Sequence, residues 1–280
     1  SKLKPSKPFV LYANPVNTVE TLVKEGIDAV TLGNNHLMDF GESGLTKTLS
    51  MFSKADIKTF GAGRNIAEAE RPLIHNINGK RVVYFSAYWY RNPMYRKYNF
   101  YATDDTVGVA CLSGGLIEQI KQEKRNNPDS MVVVFAHWGI DFENVQTMQR
   151  RYAHLLVEAG TDLIIGHGAH MMQEIEKIND KWVIYSIGNG VFNSNGEYNK
   201  RFVAPYSLIA QLNFSKVNNS IRLYPIYSDN LATFWRPTPL DGNQFKHFIK
   251  IQNSFGLDIE ADKEIKIDRD DLGYYLELEL

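Results

Sequence analysis

The sequence has only one cysteine, Cys111, among its 280 residues. A single cysteine excludes an internal disulfide framework and a zinc site built from several cysteines. Any metal bound by the chain would therefore be held by His, Asp, Glu or Asn side chains. One cysteine does not decide between an oxidising and a reducing compartment.

The sequence also lacks an excess of charge of either sign and a long apolar run. Its 31 Lys and Arg residues against 32 Asp and Glu residues give a net charge of -1, so no overall field would attract nucleic acid or an anionic membrane. We therefore expect no nucleic-acid partner. No stretch approaches the roughly 20 apolar residues of a membrane helix, and residues 1–8 contain no apolar signal segment. Because the chain starts without methionine, we expect that further sequence precedes Ser1.

The residue pattern is typical of an α/β protein. The runs Ala29–Leu32, Val132–Phe135 and Leu163–Ile165 predict strands. Segments with apolar residues at helical spacing lie between them, and this alternation is typical of parallel βαβ units. We predict a layered α/β protein with mixed sheets.

Turn and cap residues place several boundaries of these elements. Phe9–Tyr12 predicts a short first strand, and Asn14-Pro15 predicts the start of a helix that Gly26 ends. The pairs Asn78-Gly79 and Asn179-Asp180 predict the tight turns of two hairpins. Antiparallel strands are therefore expected beside the parallel ones.

Three of the predicted strands are followed by polar loops that contain histidine. These loops supply Asn34, Asn35 and His36 after the first strand, His137 and Asp141 after the second, and His167 and His170 after the third. Because the carboxyl ends of parallel strands meet at one edge of a sheet, we predict that the loops form a shared polar site. Gly166 is expected to turn the backbone sharply, so that His167 and His170 project from one short loop. The alternative interpretation is an ordinary loop with surface or core histidines.

The residue types in these loops suit metal or acid/base chemistry. Neutral imidazole nitrogens and amide oxygens can bind divalent transition metals. Such a metal lowers the pKa of a bound water molecule, while a nearby histidine protonates the leaving group. The loops supply fewer oxygen ligands than a two-metal site requires.

Four segments carry a resemblance to a known family. They are "VTLGNNHLMDFGESGLTKTL", "VVVFAHWGIDF", "QRRYAHLLVEAGTDLIIGHGAH" and "IEKINDKWVIYSIGNGVF". In this order they resemble the signature blocks of the CapA family of poly-gamma-glutamate capsule biosynthesis proteins. The resemblance implies a calcineurin-like metallophosphatase fold, with two mixed β-sheets sandwiched between helices (αββα). We therefore expect a family domain over residues 1–240 and a C-terminal extension over residues 241–280.

The resemblance also implies roles for individual residues. It assigns divalent metal ions, Mn, Fe or Zn and up to two of them, to the ligands Asn35, His137, His167 and His170. His36 would be the leaving-group acid, and Asp141, where the family usually has glutamate, would share the catalytic role. The last loop has Gly168 and Ala169 where the family has histidine and proline. The family's upstream metal-binding carboxylates have no counterpart in this chain. Either they lie in sequence that precedes it, or the site cannot hold two metals.

Residues for substrate binding are expected at two places. The segment 88–101 is rich in aromatic and cationic residues, among them Trp89, Arg91 and Arg96, and would stack on and neutralise an anionic polymer. The amides of Asn34 and Asn189 would bind the substrate at the same rim. The alternatives are an insertion that buries its own aromatic rings and a plain strand-to-turn junction at Asn189.

The leading functional hypothesis is metal-assisted hydrolysis or transfer on an anionic cell-surface polymer such as poly-gamma-glutamate. Subunits of a membrane polymer synthase are the implied partners, and the resemblance implies an extracytoplasmic or membrane-associated location. A second hypothesis is a non-catalytic accessory subunit of a polymer synthase. A third is a metal-free acid/base enzyme that acts on a peptide. The sequence leaves the oligomeric state open.

Overall fold

The computed structural model describes residues 9–91, 98, 100–194, 196–215 and 218–280. The chain divides into a first unit, residues 1–75 and 81–137, and a second unit, residues 76–80 and 138–280. Both units combine helices with β-sheet, so the predicted α/β class is confirmed. Among the described residues, no helix has both the length and the apolar composition that crossing a membrane requires.

Helices and strands are interspersed in the described part of the chain up to residue 137. The helices are α1 Pro15–Lys24, α2 Gly41–Lys54, α3 Ile66–Ala69 and α4 Gly114–Asn126. The strands are β1 Ala29–Thr31, β2 Lys58–Phe60, β3 Ala62–Gly63, β4 Leu73–Ile77, β5 Lys80–Trp89, β6 Gly108–Val109, β7 Cys111–Leu112 and β8 Met131–His137.

Parallel pairing in the first unit places several strand ends at the same edge. β5 pairs in parallel with β7 and β8, and β1 pairs in parallel with β2. The hydroxyl groups of Thr31, at the end of β1, and Ser86, in β5, are hydrogen-bonded. The loop that follows β1 therefore begins beside β5.

The core of the first unit fixes these strands. Val82 and Val83 of β5 are fully buried, as are residues 132–134 of β8. Leu45 of α2 and Leu116 of α4 are also fully buried. Because burial of each such side chain contributes about 1.5–3 kcal/mol, the two strands are well anchored, and so are their carboxyl ends.

The start of the chain differs from its prediction. The predicted strand Phe9–Tyr12 is wrong, because residues 9–14 have no regular structure. The backbone N–H of Leu11 instead donates a hydrogen bond to the carboxylate of Asp39. The predicted helix is confirmed as α1, whose first turn is capped by the side chain of Asn14 with Pro15 at its first position.

After residue 137 the chain builds two groups of strands. The helices are α5 Thr147–Glu158, α6 Glu197–Lys200, α7 Asn230–Thr233 and α8 Gly242–Ser254. The strands are β9 Leu163–His167, β10 Ile175–Ile178, β11 Lys181–Ile184, β12 Tyr206–Phe214, β13 Asn219–Tyr227, β14 Thr238–Pro239, β15 Ile265–Asp270 and β16 Gly273–Glu279.

In the second unit, the first group of strands has both parallel and antiparallel pairs, and the other group is antiparallel. β9 pairs in parallel with β11, which pairs antiparallel with β10. The order β12-β13-β16-β15 is antiparallel at every pairing of the described residues, with β14 also on β13. This sheet differs from the predicted mixed sheet because each of its described pairings, including the hairpin of β15 and β16, is antiparallel. Residues 241–280 supply α8, β15 and β16, and the predicted domain boundary at residue 240 stays a prediction.

Both predicted hairpin turns are confirmed. Asn78 and Gly79 have φ angles of 52° and 83°, and Asn179 and Asp180 have φ angles of 46° and 63°. Positive φ at both central residues matches the twist of the flanking strands. Short sequence signals of this kind therefore place turns well.

Candidate functional site

In the first unit, the loop after β1 is held in a fixed shape. The side-chain oxygen of Asn34 accepts hydrogen bonds from the backbone N–H groups of His36 at 2.8 Å and Leu37 at 3.1 Å. A Cβ on Gly33 would lie 2.7 Å from the hydroxyl oxygen of Ser86, so glycine allows the loop to approach β5. The oxygen of Asn34 thus shapes the loop, and its predicted role toward a substrate stays a prediction.

His36 is oriented by a buried carboxylate. Its Nδ1 lies 2.8 Å from Oδ2 of Asp39, which is 1% exposed. The same oxygen accepts a hydrogen bond from the backbone N–H of Leu11 at 2.7 Å. Because Oδ2 is an acceptor, Nδ1 of His36 donates, and in the neutral ring the lone pair lies on Nε2. A carboxylate that fixes an imidazole in this way is a common feature of acid/base catalysis.

His36 also borders a cavity of about 550 Å³. The cavity wall is mostly apolar and includes Leu11, Tyr12, Val19, Phe40, Met51 and Phe52. His36 and Lys47 add polar groups to this wall. An apolar pocket with a few polar groups is typical of a ligand site, so the first unit places an oriented histidine beside a space that a ligand could enter.

His137 and Asn35 belong to the same unit. His137 is the last residue of β8, and its ring lies 5.5 Å from that of Tyr88, its register partner on β5. The strand is therefore longer than predicted, and His137 lies in it rather than in the following loop. Asn35 is half-buried in the loop after β1. The metal roles of both residues stay predictions.

The aromatic segment after β5 is only partly described. Trp89 is buried, and the guanidinium of Arg91 lies 5.5 Å from the centre of its ring. The hydroxyl of Tyr101 donates a hydrogen bond to the backbone oxygen of Trp89 at 2.6 Å. These contacts agree with the alternative of an insertion that buries its own aromatic rings. The roles of Trp89 and Arg91 toward a substrate stay predictions, and Arg96 lies outside the described residues.

In the second unit, the strand that leads to the two histidines is longer than predicted. β9 runs to His167, so Gly166 lies inside the strand and its predicted turn is wrong. A Cβ on Gly166 would lie 2.0 Å from the backbone oxygen of Tyr185 and 2.4 Å from Nε1 of Trp138, so this glycine permits close packing. The turn instead occurs at Gly168, with φ of 108°. His167 therefore lies on the strand, and His170 lies in the loop.

His170 is held by a hydrogen bond and by two rings. Its backbone is in the left-handed region, with φ of 59°. Its ring lies 4.5 Å from the ring of Phe192 and 5.9 Å from that of Phe142, and both pairs are stacked. Its Nδ1 lies 2.9 Å from the side-chain oxygen of Asn189. The imidazole is thus held by two stacked rings and at one nitrogen.

His167 is a neutral imidazole at physiological pH. Burial, and then the nearby His170, lowers the pKa of His167 to about 4. A neutral imidazole keeps a lone pair that can bind a metal or accept a hydrogen bond. His167 therefore has the chemistry that its predicted role requires.

The loop that carries Asp141 is tied to the His170 loop. The backbone N–H of Trp138 donates to the oxygen of His167 at 2.8 Å, and that of Phe142 donates to the oxygen of Ala169 at 2.7 Å. Asp141 itself is exposed. Its loop is thus held in place by backbone bonds, and its catalytic role stays a prediction.

Asn189 uses both of its amide hydrogens within the second unit. Its Nδ2 donates to the backbone oxygen of His170 and to the hydroxyl of Tyr198, each at 2.9 Å. Asn189 is 6% exposed. The residue therefore lies beside a predicted functional histidine, while its own predicted contact with a substrate stays a prediction.

The sequence of this chain matches a known protein family. The model of the family described as bacterial capsule synthesis protein PGA_cap matches residues 1–194. The chain belongs to the PGA_cap family. The resemblance to the CapA family is thereby confirmed, and the motifs with His36, His137, His167 and His170 all lie inside the matched residues.

Named relatives of this PGA_cap chain come from several bacteria. Capsule biosynthesis protein CapA of Bacillus anthracis is 32% identical over 183 residues, which are 63% of this chain and 43% of that protein. PGA biosynthesis protein CapA of Bacillus subtilis (strain 168) is 30% identical over 178 residues, 63% of this chain and 45% of that protein. A probable polyglutamine synthesis accessory protein of Mycobacterium tuberculosis (strain ATCC 25618 / H37Rv) is 27% identical over 199 residues, 68% of this chain and 51% of that protein. The matched region thus spans about half the length of these relatives.

Among solved structures, a hypothetical protein from Thermus thermophilus aligns with a TM-score of 0.43 and 11% sequence identity. The alignment covers 79% of this chain and 77% of that one. A likeness at this level carries no argument about the function of the PGA_cap chain.

The donor groups of this PGA_cap chain fit a metal in type but fall short in number. The neutral His167 suits a divalent transition metal. However, the described residues contain no group of three or more His, Cys, Asp or Glu side chains that could hold a metal ion, and catalytic zinc sites use three protein ligands.

Two residues that contact candidate functional histidines of this PGA_cap chain were not found from the sequence. Asp39 follows His36 by three residues in one loop, and this spacing was the available signal. Phe192 stacks on His170 from a distant part of the chain, and no local pattern could have indicated that contact.

Proposed function

We propose that this PGA_cap chain acts in the synthesis or processing of an anionic cell-surface polymer such as poly-gamma-glutamate. The match of residues 1–194 to a family of capsule synthesis proteins carries the proposal. The names of the Bacillus relatives, both CapA proteins, support it. An extracytoplasmic or membrane-associated location, polymer-synthase subunits as partners and the metallophosphatase-like αββα layering belong to the same proposal.

The proposed chemistry is hydrolysis or transfer in which His36 exchanges the proton. Asp39 orients the ring through Nδ1, so Nε2 is the nitrogen that donates or accepts the proton. Lys47, in the wall of the same cavity, offers a cation for an acidic group of the polymer. The proposed metal ligands are Asn35 and His137 in the first unit and His167 and His170 in the second. A bound metal would supply a water molecule of lowered pKa.

The test measures the chain length of purified poly-gamma-glutamate after incubation with the protein, with manganese, with zinc and with a chelator. His36→Asn should abolish the change in chain length. His154→Asn is the matched control, because His154 is an exposed residue of α5. Equal turnover by the wild type and by His36→Asn would contradict the catalytic role.

A second candidate is a metal-free acid/base enzyme that acts on a peptide. The His36–Asp39 pair favours it, because this pair is complete without a metal. Turnover that persists in the chelator and is lost in His36→Asn would support this candidate over the metal-assisted one.

A third candidate is a non-catalytic accessory subunit. The lack of a three-residue metal group among the described residues favours it, and the Mycobacterium tuberculosis relative is named an accessory protein. Capsule production in a Bacillus strain that lacks CapA separates the candidates. Restoration by both the wild type and His36→Asn would indicate an accessory role.

A further inference from the structure

We propose that Asn189 is a positioning residue, which holds His170 as the tautomer with its proton on Nδ1 and its lone pair on Nε2. The inference deepens the proposed function and rests on it in one respect, because it treats His170 as a functional group. The tautomer itself follows from hydrogen bonds within the second unit. It can therefore be tested without a metal or a substrate.

The orientation of the Asn189 amide follows from the chemistry of its neighbours. The backbone oxygen of His170, 2.9 Å from one amide atom, can only accept a hydrogen bond. That amide atom must therefore be Nδ2, and its second hydrogen goes to the hydroxyl of Tyr198 at 2.9 Å. The other amide atom is then the oxygen, which faces Nδ1 of His170 at 2.9 Å. Because an amide oxygen only accepts, Nδ1 carries the proton.

Asn189 is itself fixed by a buried polar network. Its backbone N–H donates to the hydroxyl of Ser207 at 2.9 Å, and that hydroxyl lies 2.8 Å from the hydroxyl of Ser228. The hydroxyls of Tyr198 and Ser228 are 3.2 Å apart. Ser207 and Ser228 are almost fully buried. A buried network with its members paired keeps one arrangement, since each alternative would leave a polar atom unpaired.

The other ring nitrogen of His170, Nε2, keeps a lone pair that can bind a ligand. Nε2 has no hydrogen-bond partner among the described residues. The stacked rings of Phe142 and Phe192 restrict rotation of the imidazole. Its backbone also adopts a left-handed φ that is uncommon outside glycine, so the surrounding contacts select this geometry. The result is an imidazole that presents one lone pair in a fixed direction, as a metal ligand or a proton acceptor requires.

The first test is direct and uses the unmodified sequence. Long-range ¹H–¹⁵N spectra of the ¹⁵N-labelled protein report both the protonation state and the tautomer of each histidine, and His170→Gln identifies the signals of His170. At a pH where these signals show a neutral ring, we expect the proton on Nδ1. A predominant Nε2–H tautomer would overturn the proposal.

The second test uses variants of Asn189. Asn189→Leu removes the acceptor opposite Nδ1 and should give a mixture of tautomers. Tyr198→Phe is the matched control, since the His170 oxygen still orients the amide and the tautomer should persist. Circular dichroism checks folding. If Asn189→Leu does not fold, the tautomer of the wild type decides, and a predominant Nε2–H form there would overturn the proposal.

A zinc titration separates this inference from the proposed function. If the wild type binds zinc, Asn189→Leu should weaken binding by about 10–100-fold, with little further loss when it is added to His170→Gln. If Asn189→Leu weakens zinc binding of His170→Gln as much as it weakens zinc binding of the wild type, the positioning role is overturned. If the wild type binds no zinc but shows the Nδ1–H tautomer, the metal-assisted function fails while the positioning by Asn189 is supported.

Discussion

At the scale of single residues, the site combines a side chain that the sequence indicates with one that it hides. His36 ends the "GNNH" stretch after a predicted strand, so its type and place suggested function. Asp39 lies in the apolar-looking stretch "LMDFG", and its spacing of three residues from His36 was the available signal that its carboxylate could turn back toward the ring. Only the loop geometry, set by the bonds of Asn34 to the backbone, reveals the pair.

Substitution of Asp39 tests the pair. Asp39→Asn keeps an oxygen that can accept from Leu11 and from His36, but it removes the negative charge that stabilises the protonated imidazole. We expect turnover of the polymer to fall about 10²-fold, at the lower end of what a positioned acid or base contributes. Steady-state kinetics measure it. Asp56→Asn, at an exposed residue paired with Lys58, should be unchanged, and an equal effect of both variants would contradict the pair's role.

A buried glutamate gives a prediction about pH. Glu70 is 5% exposed, and burial raises the pKa of its carboxyl above the ordinary value. A raised folded-state pKa favours the protonated form, so the contribution of Glu70 to stability is greatest at low pH and declines as pH rises through the folded pKa.

Glu70→Gln should therefore be more stable than the wild type at neutral pH. The variant keeps an oxygen to accept from Nε2 of Gln119, as Oε2 of Glu70 does at 2.5 Å, and it cannot ionise. Urea unfolding at several pH values measures the difference, which should shrink as pH falls through the folded pKa toward the unfolded-state value near 4.3. Glu20→Gln, at an exposed residue of α1, should show no such trend. A difference independent of pH would rule out ionisation of Glu70 as the cause.

At the scale of helices and strands, the sequence predicts which elements form better than it predicts where they end. The hairpin turns at Asn78-Gly79 and Asn179-Asp180 follow from local backbone preference, and α1 starts at the predicted pair Asn14-Pro15. The ends of β8 and β9 were placed too early, because histidine and glycine are polar or turn residues in isolation. In the structure, pairing with β5 carries β8 to His137, and β9 runs to His167.

Gly166 provides the test at this scale. A Cβ there would lie 2.0 Å from the backbone oxygen of Tyr185, the oxygen that accepts the indole hydrogen bond of Trp138 at 2.7 Å. Backbone cannot yield as a flexible side chain can, so Gly166→Ala should lower the free energy of unfolding by about 3 kcal/mol or more, the upper end of overpacking effects. Urea unfolding measures it. Gly190→Ala has open space around its Cβ and should cost less than about 1 kcal/mol. Similar costs at both glycines would show that close packing is not the reason for Gly166.

At the scale of the whole molecule, the sequence led to the family but not to the contacts that form the site. The four ordered blocks indicated the CapA resemblance, which the PGA_cap match confirms. The partners of the histidines could not be predicted, because Asn189 and Phe192 reach His170 through tertiary packing rather than through a repeat or a motif. The predicted meeting of all three histidine loops at one edge stays a prediction.

Binding of a metal should be visible in the stability of the whole molecule. A ligand that binds only the folded state adds about 2.7 kcal/mol at a concentration of 100 times its Kd, which raises Tm by several degrees. We expect zinc or manganese to raise the Tm of the wild type and a chelator to reverse the rise, as thermal unfolding followed by circular dichroism would show. His167→Gln and His170→Gln should each lose this response, whereas the exposed control His154→Gln should keep it. A wild type whose Tm is the same with metal and with chelator would exclude the metal-assisted mechanism and leave the acid/base pair of His36 and Asp39 as the remaining catalytic group.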